Sequence, residues 1–107
     1  MKLKPKLIQF KDMYCGMEDG FNVEITHSMM EQFESITGDR NQLHTSSNYA
    51  KAVGFKGRVV YGMLTASLYS RLVGMYLPGE KAILYSVKAD FNSPVYIGDK
   101  LFILGRV

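Results

Sequence analysis

Gly62-Met63-Leu64-Thr65-Ala66-Ser67-Leu68-Tyr69-Ser70-Arg71-Leu72-Val73-Gly74-Met75-Tyr76-Leu77 is the longest apolar stretch of the chain, and Pro78-Gly79 closes it. Drawn as a helix over residues 63–77, its apolar side chains go almost all the way round. That pattern belongs to a buried helix, because a surface helix keeps one polar face. The stretch falls short of the roughly 20 residues needed to cross a bilayer. Proline and glycine then end it.

Beyond Pro78-Gly79 the period changes from helix to strand. Residues 82–91 put Ile83, Tyr85, Val87 and Ala89 on one face, which predicts a long strand. Asn92-Ser93-Pro94 interrupts it, and Gly98-Asp99 marks a hairpin-type turn. Residues 100–107 predict a further strand. Upstream, residues 6–10 read as a short strand and Phe21-Asn22-Val23-Glu24-Ile25 as a half-buried one. One long helix followed by antiparallel strands predicts an α+β layer architecture, a sheet wrapped round a helix. Three or four strands barely cover such a helix, so open edges are expected, and open edges call for a partner.

Between the first full strand and the long helix lies a polar loop, Gly38-Asp39-Arg40-Asn41-Gln42, followed by Leu43-His44. A helix precedes it: Met29, Phe33 and Ile36 recur at helical spacing. Thr26 or Ser28 can cap that helix, and Ser28-Met29-Met30-Glu31 fits a capping box. Gly38 falls where a left-handed helix end favours glycine. Thr45, Ser46 and Ser47 are three candidate caps for a short helix over residues 48–53, closed by Gly54. His44 is expected just before that helix, outside its hydrogen-bond ladder. Asp and His are the side chains most often used to hold and deprotonate a water. Taken singly, an Asp after Gly is a turn residue and a His before Ser and Thr is a surface group. Here the two stand close together, with the amide Asn41 between them.

The totals bound the rest. A chain of 107 residues is expected to form one domain, and 47% hydrophobic residues argue against disorder. The basic start, Met1-Lys2-Leu3-Lys4-Pro5-Lys6, has no apolar core after it, so no secretory signal is expected. One cysteine, Cys15, forms no internal disulfide and suits a cytoplasmic location. No Cys/His cluster has metal spacing, so no metal is expected. The net charge of +3 serves solubility or an anionic partner. Lys and Arg do not gather on one helix, so neither nucleic acid nor membrane is expected as a partner.

Ile36-Thr37-Gly38-Asp39-Arg40-Asn41-Gln42-Leu43-His44 resembles the signature of the MaoC-like, (R)-specific enoyl-CoA hydratases. Gly62 to Ser70 resembles the start of that family's central helix. Leu77-Pro78-Gly79 and Phe91-Asn92-Ser93-Pro94-Val95-Tyr96-Ile97-Gly98-Asp99 match its later landmarks in order. The likeness covers roughly residues 20–107. It implies a hotdog fold, a curved antiparallel sheet wrapped round one long central helix, assembled as a homodimer. The family usually has Pro at Gln42 and His at Tyr61, and its members usually continue through further C-terminal strands. The chain is therefore expected to be one MaoC-like domain, short at its C-terminus, with Tyr61 altering substrate preference.

The resemblance implies reversible addition of water to a trans-2-enoyl thioester, giving the (R)-3-hydroxyacyl thioester of fatty-acid metabolism. Asp39 and His44 would hold one water, with Asp39 favoured as base. The backbone N–H of Gly62, at a helix N-terminus, would stabilise charge on the thioester carbonyl, and glycine there would let the substrate close in. Asn41 would brace the loop, and Ser70 would touch the water or the Asp/His pair. Lys51, Lys56 and Arg58 would form a rim for the phosphates of coenzyme A or the acidic surface of an acyl carrier protein. No cofactor is implied beyond the carrier, coenzyme A or phosphopantetheine, that brings the substrate. Two other functions suit the fold: a non-catalytic acyl-thioester-binding subunit and a hotdog thioesterase.

Overall fold

The computed structural model describes residues 2–107. After a 3₁₀ turn at Phe10–Asp12 come β1 (Glu18–Glu24), α1 (His27–Thr37), α2 (Gln42–Thr45), α3 (Ser47–Ala52), α4 (Gly62–Arg71) and β2 (Lys100–Arg106). A π-helical turn, Leu72–Tyr76, continues α4. β1 and β2 pair as a two-stranded sheet. Met17 bonds to Val107 at one end and Ile25 to Asp99 at the other, so the strands run antiparallel.

The chain divides into two compact units: the residues through Val23 with Ala66–Ala89 and Phe102–Val107, and Glu24–Thr65 with Asp90–Leu101. The first is built on Phe21, Leu72, Leu77 and Ile103, all buried. Phe21 stacks on Tyr76 with ring centres 5.1 Å apart, and the Arg71 guanidinium lies 4.1 Å over the Phe21 ring. Burial of each large apolar side chain contributes about 1.5–3 kcal/mol. Lys6 Nζ donates to Asp19 Oδ2 at 2.5 Å, and Leu7 makes a single bridge to Gly79.

The second unit centres on Ile25 and Met30, at 0% and 1% exposure, with Ala50, Val60, Tyr61 and Leu64 also buried. It carries α1, α2 and α3. Thr26 caps α1: its Oγ1 accepts from Met29 N at 3.2 Å. Ser28 therefore lies inside the first turn, where its hydroxyl accepts from Gln32 Nε2 in place of the expected capping box. Gly38 ends the helix with φ 74°, and its N–H donates to Glu34 O at 2.8 Å.

Four expectations change. Residues 6–10 make one bridge and a 3₁₀ turn in place of a strand. Residues 82–91 have no assigned helix or strand and belong to no ladder, with Ile83 at 92% and Tyr85 at 99% exposure. Alternation prepares a strand, but a strand also needs a neighbour to bond with. The long helix is buried only along Leu64 and Leu72; Met63 and Tyr69 are exposed. An apolar surface all round the helix is buried only where other elements cover it. The segment between Gly38 and α3, read without a helix, contains α2, a four-residue helix that has no sequence period to betray it, while His44 stands ahead of α3 as expected. No helix of the described residues is long and apolar enough to cross a membrane.

Candidate active site

The loop between α1 and α2 is held by its own side chains. Asp39 N donates to Thr37 Oγ1 at 3.1 Å, and Asp39 Oδ1 accepts from Asn41 N at 3.0 Å. Asn41 Oδ1 in turn accepts from Leu43 N at 3.0 Å, which caps α2. Each short polar side chain satisfies a backbone N–H two residues along or back, the usual way such residues fix a turn. This gives Asn41 the bracing role expected of it. Asp39 itself stays exposed.

Tyr61 anchors this loop from the far side of the unit. Its hydroxyl donates to the backbone carbonyl of Asp39 at 2.7 Å. Its ring packs against Phe33 at 4.7 Å and stacks on the His44 ring at 4.2 Å. Burial raises the Tyr61 pKa, and the nearby carboxylates of Glu34 and Asp39 raise it further. The side chain is 2% exposed and bonded to the loop, and it lines neither of the two cavities described below.

His44 is fixed on three sides. Its Nδ1 lies 2.7 Å from the carbonyl of Val59. A carbonyl only accepts, so Nδ1 carries a proton, and in the neutral imidazole the lone pair is on Nε2. Arg58 Nε donates to the His44 carbonyl at 2.7 Å, and Val59 N donates to the Leu43 carbonyl at 3.1 Å.

The imidazole opens on a cavity of about 440 Å³ lined by Leu43, His44, Phe55, Val59, Val60, Gly62, Thr65 and residues 91–95. Gly62, the first residue of α4, meets His44 here. The first bonds of α4 run from Leu64 N and Thr65 N to the Tyr61 carbonyl, so the Gly62 N–H precedes the ladder and has no backbone acceptor. Thr65 Oγ1 donates to Gly62 O at 2.7 Å, which leaves the wall beside Gly62 largely apolar. A water in this cavity could donate to Nε2, and an oxyanion could accept from the Gly62 N–H.

The structure thus brings two of the three expected catalytic groups, His44 and Gly62, to one cavity. Asp39 is not among its lining residues, and no hydrogen bond joins its carboxylate to His44. Ser70 is exposed on α4 within the first unit. Lys56 and Arg58 line a second cavity of about 490 Å³, with His27, Ser47, Gly57, Tyr96, Ile97 and Asp99, whereas Lys51 lines neither. Sequence reading missed Val59, which selects the His44 tautomer, and Phe91. No local pattern announces either, since each acts on a residue far away in the chain. Among the described residues no three His, Cys, Asp or Glu side chains cluster for a metal.

Residues 16–106 match the MaoC like domain family. The chain is 37% identical over 94 residues to a 3-hydroxybutyryl-CoA dehydratase of Methylorubrum extorquens, covering 88% of this chain and 60% of that protein. It is 34% identical over 90 residues to an (R)-specific enoyl-CoA hydratase of Rhodospirillum rubrum, covering 84% and 62%. The chain therefore spans about three fifths of these relatives' length. Its structure superposes on the (R)-hydratase of A. caviae with a TM-score of 0.85 at 28% identity, covering 90% of this chain and 73% of that one. The hotdog expected from the sequence is the fold of this hydratase.

Proposed function

The chain belongs to the MaoC-like domain family, and we propose that it is a hydro-lyase adding water reversibly to trans-2-enoyl thioesters to give (R)-3-hydroxyacyl thioesters. One observation carries the reading. His44 is locked as the Nδ1–H tautomer by Val59 O, and its ring shares a cavity with the unpaired Gly62 N–H.

Water bound at Nε2 attacks C3 of the enoyl group. As its oxygen bonds to C3, a proton passes to Nε2 and the C2–C3 π electrons move toward the thioester carbonyl. The enolate oxygen then accepts from the Gly62 N–H, helped by the positive end of α4. Return of the proton to C2 completes the addition, with no change of oxidation state. General-base help of this kind contributes about 10²–10⁴ in rate. Asp39, whose carboxylate accepts from Asn41 N outside the cavity, acts by fixing the loop that carries His44 to the water. The reaction calls for no cofactor beyond the thioester carrier.

The second cavity suits the carrier's phosphates: Lys56 and Arg58 supply charge, His27 and Ser47 supply donors, and the Asp99 carboxylate opposes them. Tyr96 N donates to Asp99 Oδ2 at 2.9 Å, which engages one of its oxygens. Charge reversal of Lys56 and Arg58 is expected to raise KM and leave kcat nearly unchanged. Two copies associate, in this reading, through the unpaired residues 82–91, and the setting is the cytoplasm.

A second reading, an acyl-thioester-binding module without turnover, is favoured by the exposed Asp39 outside the cavity. Incubation with crotonyl-CoA separates the two. Loss of the enoyl absorbance with (R)-3-hydroxybutyryl-CoA as product supports the hydratase. Binding without absorbance loss supports the module.

A further inference from the structure

Gly62 is a glycine for a reason the loop does not supply. Its φ lies outside the left-handed region, so its conformation does not demand glycine. Space is the tighter constraint: a Cβ there would stand 3.1 Å from both Cδ1 and Cε1 of Phe91 and 3.3 Å from its Cγ, so the ring would have to give by a few tenths of an ångström. The face freed by the missing side chain is therefore filled by an aromatic ring. A substrate carbonyl reaching the Gly62 N–H has to pass beside that ring. Phe91 is nevertheless 58% exposed, so the rest of its surface is open.

The backbone around Phe91 is tethered at one end. Val60 N donates to Val95 O at 2.8 Å, and Val59 forms a bridge with Tyr96. From Val95 onward the strap is fixed; residues 91–94 carry no ladder bonds. Phe91 thus meets the cavity that His44 also lines as a large apolar wall on a short, unladdered arm. Leu43, Phe55, Val60 and Val95 add apolar lining, which suits a hydrocarbon chain, beside the polar Thr65, Asn92 and Ser93.

We propose that Phe91 sets acyl-chain length: its ring, seated on Gly62, closes the end of the cavity into which the chain beyond C3 would run. This rests on the thioester reading given above. Short acyl groups fit in front of the ring. Longer ones have to push it off Gly62, which also disturbs the carbonyl's donor. Phe91 is a specificity residue and takes no part in proton transfer.

The test compares wild type, Phe91→Leu and Phe91→Ala with trans-2-butenoyl-CoA and trans-2-octenoyl-CoA. Because one methylene in an apolar pocket is worth about tenfold or more, the kcat/KM ratio of the eight-carbon to the four-carbon substrate should rise at least about tenfold in Phe91→Ala. The rise should come mainly through KM, with Phe91→Leu between. Calorimetric binding of the unreactive butanoyl-CoA and octanoyl-CoA provides a readout independent of turnover. Turnover with both ratios unchanged in both variants overturns the wall and leaves the hydratase reading standing. No turnover, with octanoyl-CoA binding strengthened over butanoyl-CoA in the variants, supports the wall and removes the hydratase reading. A third measurement tests the seat itself. Gly62→Ala should lower Tm, and Phe91→Ala in the same chain should restore part of the loss. Additive losses would contradict the contact.

Discussion

Residues 37–44 and residues 82–91 both lack a strand or long helix, yet their polar backbone groups have opposite fates. In the first, Thr37, Asp39 and Asn41 each lend a side-chain oxygen to a nearby N–H, and the Tyr61 hydroxyl donates to the Asp39 carbonyl. In the second, the backbone is in no helix and no ladder, and the apolar side chains Ile83, Tyr85 and Val87 are exposed. The difference is one of range. Local side-chain bonds complete a loop within a few residues. An extended segment is completed only by another strand, from wherever that strand comes.

The largest way to break this contrast is Tyr61→Ala, which removes the distant anchor of the self-held loop. Truncating so buried an aromatic side chain should cost about 3–5 kcal/mol, read as a fall in urea midpoint. Tyr61→Phe should cost only about 1 kcal/mol, because the stacking on Phe33 and His44 survives and one hydrogen bond is lost. If the two variants fall equally, the ring packing is not what holds the loop.

Next comes Asn41→Ala. Loss of the α2 cap should destabilise by about 1 kcal/mol and loosen His44, raising hydrogen exchange across residues 42–45. No change in exchange there would mean that Tyr61 and Val59 hold the loop unaided. On the other side of the comparison, Tyr85→Lys removes an exposed apolar group from the unpaired segment. Stability should move by less than about 0.5 kcal/mol, whereas self-association measured by sedimentation should weaken. A large fall in stability would show that the segment is packed in solution.

The smallest effect is electrostatic. The hydrogen bond from Lys6 lowers the Asp19 pKa. Its folded value lies below its unfolded one, so its contribution is present above the unfolded pKa, about 3.9, and is lost as pH falls through the folded one. Lys6 is half-exposed, so the contribution is that of a surface pair, under about 1 kcal/mol. Asp19→Asn should flatten the acid limb of stability against pH by that amount.

The same contrast explains what could be read in advance. Thr26, Gly38 and Ser46 mark helix ends by chemistry that acts within a few residues, and the structure uses all three. The Phe21 to Ile25 alternation finds its strand in β1 because β2 lies beside it. Residues 82–91 alternate just as well and form no ladder. At the site, Asp39, Asn41, His44 and Gly62 stand out through short spacing and recognisable neighbours. Val59 and Phe91 do not, because their effects on His44 and Gly62 cross long stretches of chain. Tyr61 was visible as a substitution, but its role as loop anchor depends on Asp39 and Phe33 meeting it in space.

In the proposed reaction His44, held by Val59 and lining one cavity with Gly62, activates the water. The most direct measurement is the initial rate of crotonyl-CoA absorbance loss for His44→Ala and Asp39→Asn beside wild type, at equal folded fraction. The kcat of His44→Ala should fall about 10²–10⁴-fold, and that of Asp39→Asn should fall by less, through a loosened loop. Equal rates in wild type and His44→Ala would contradict it.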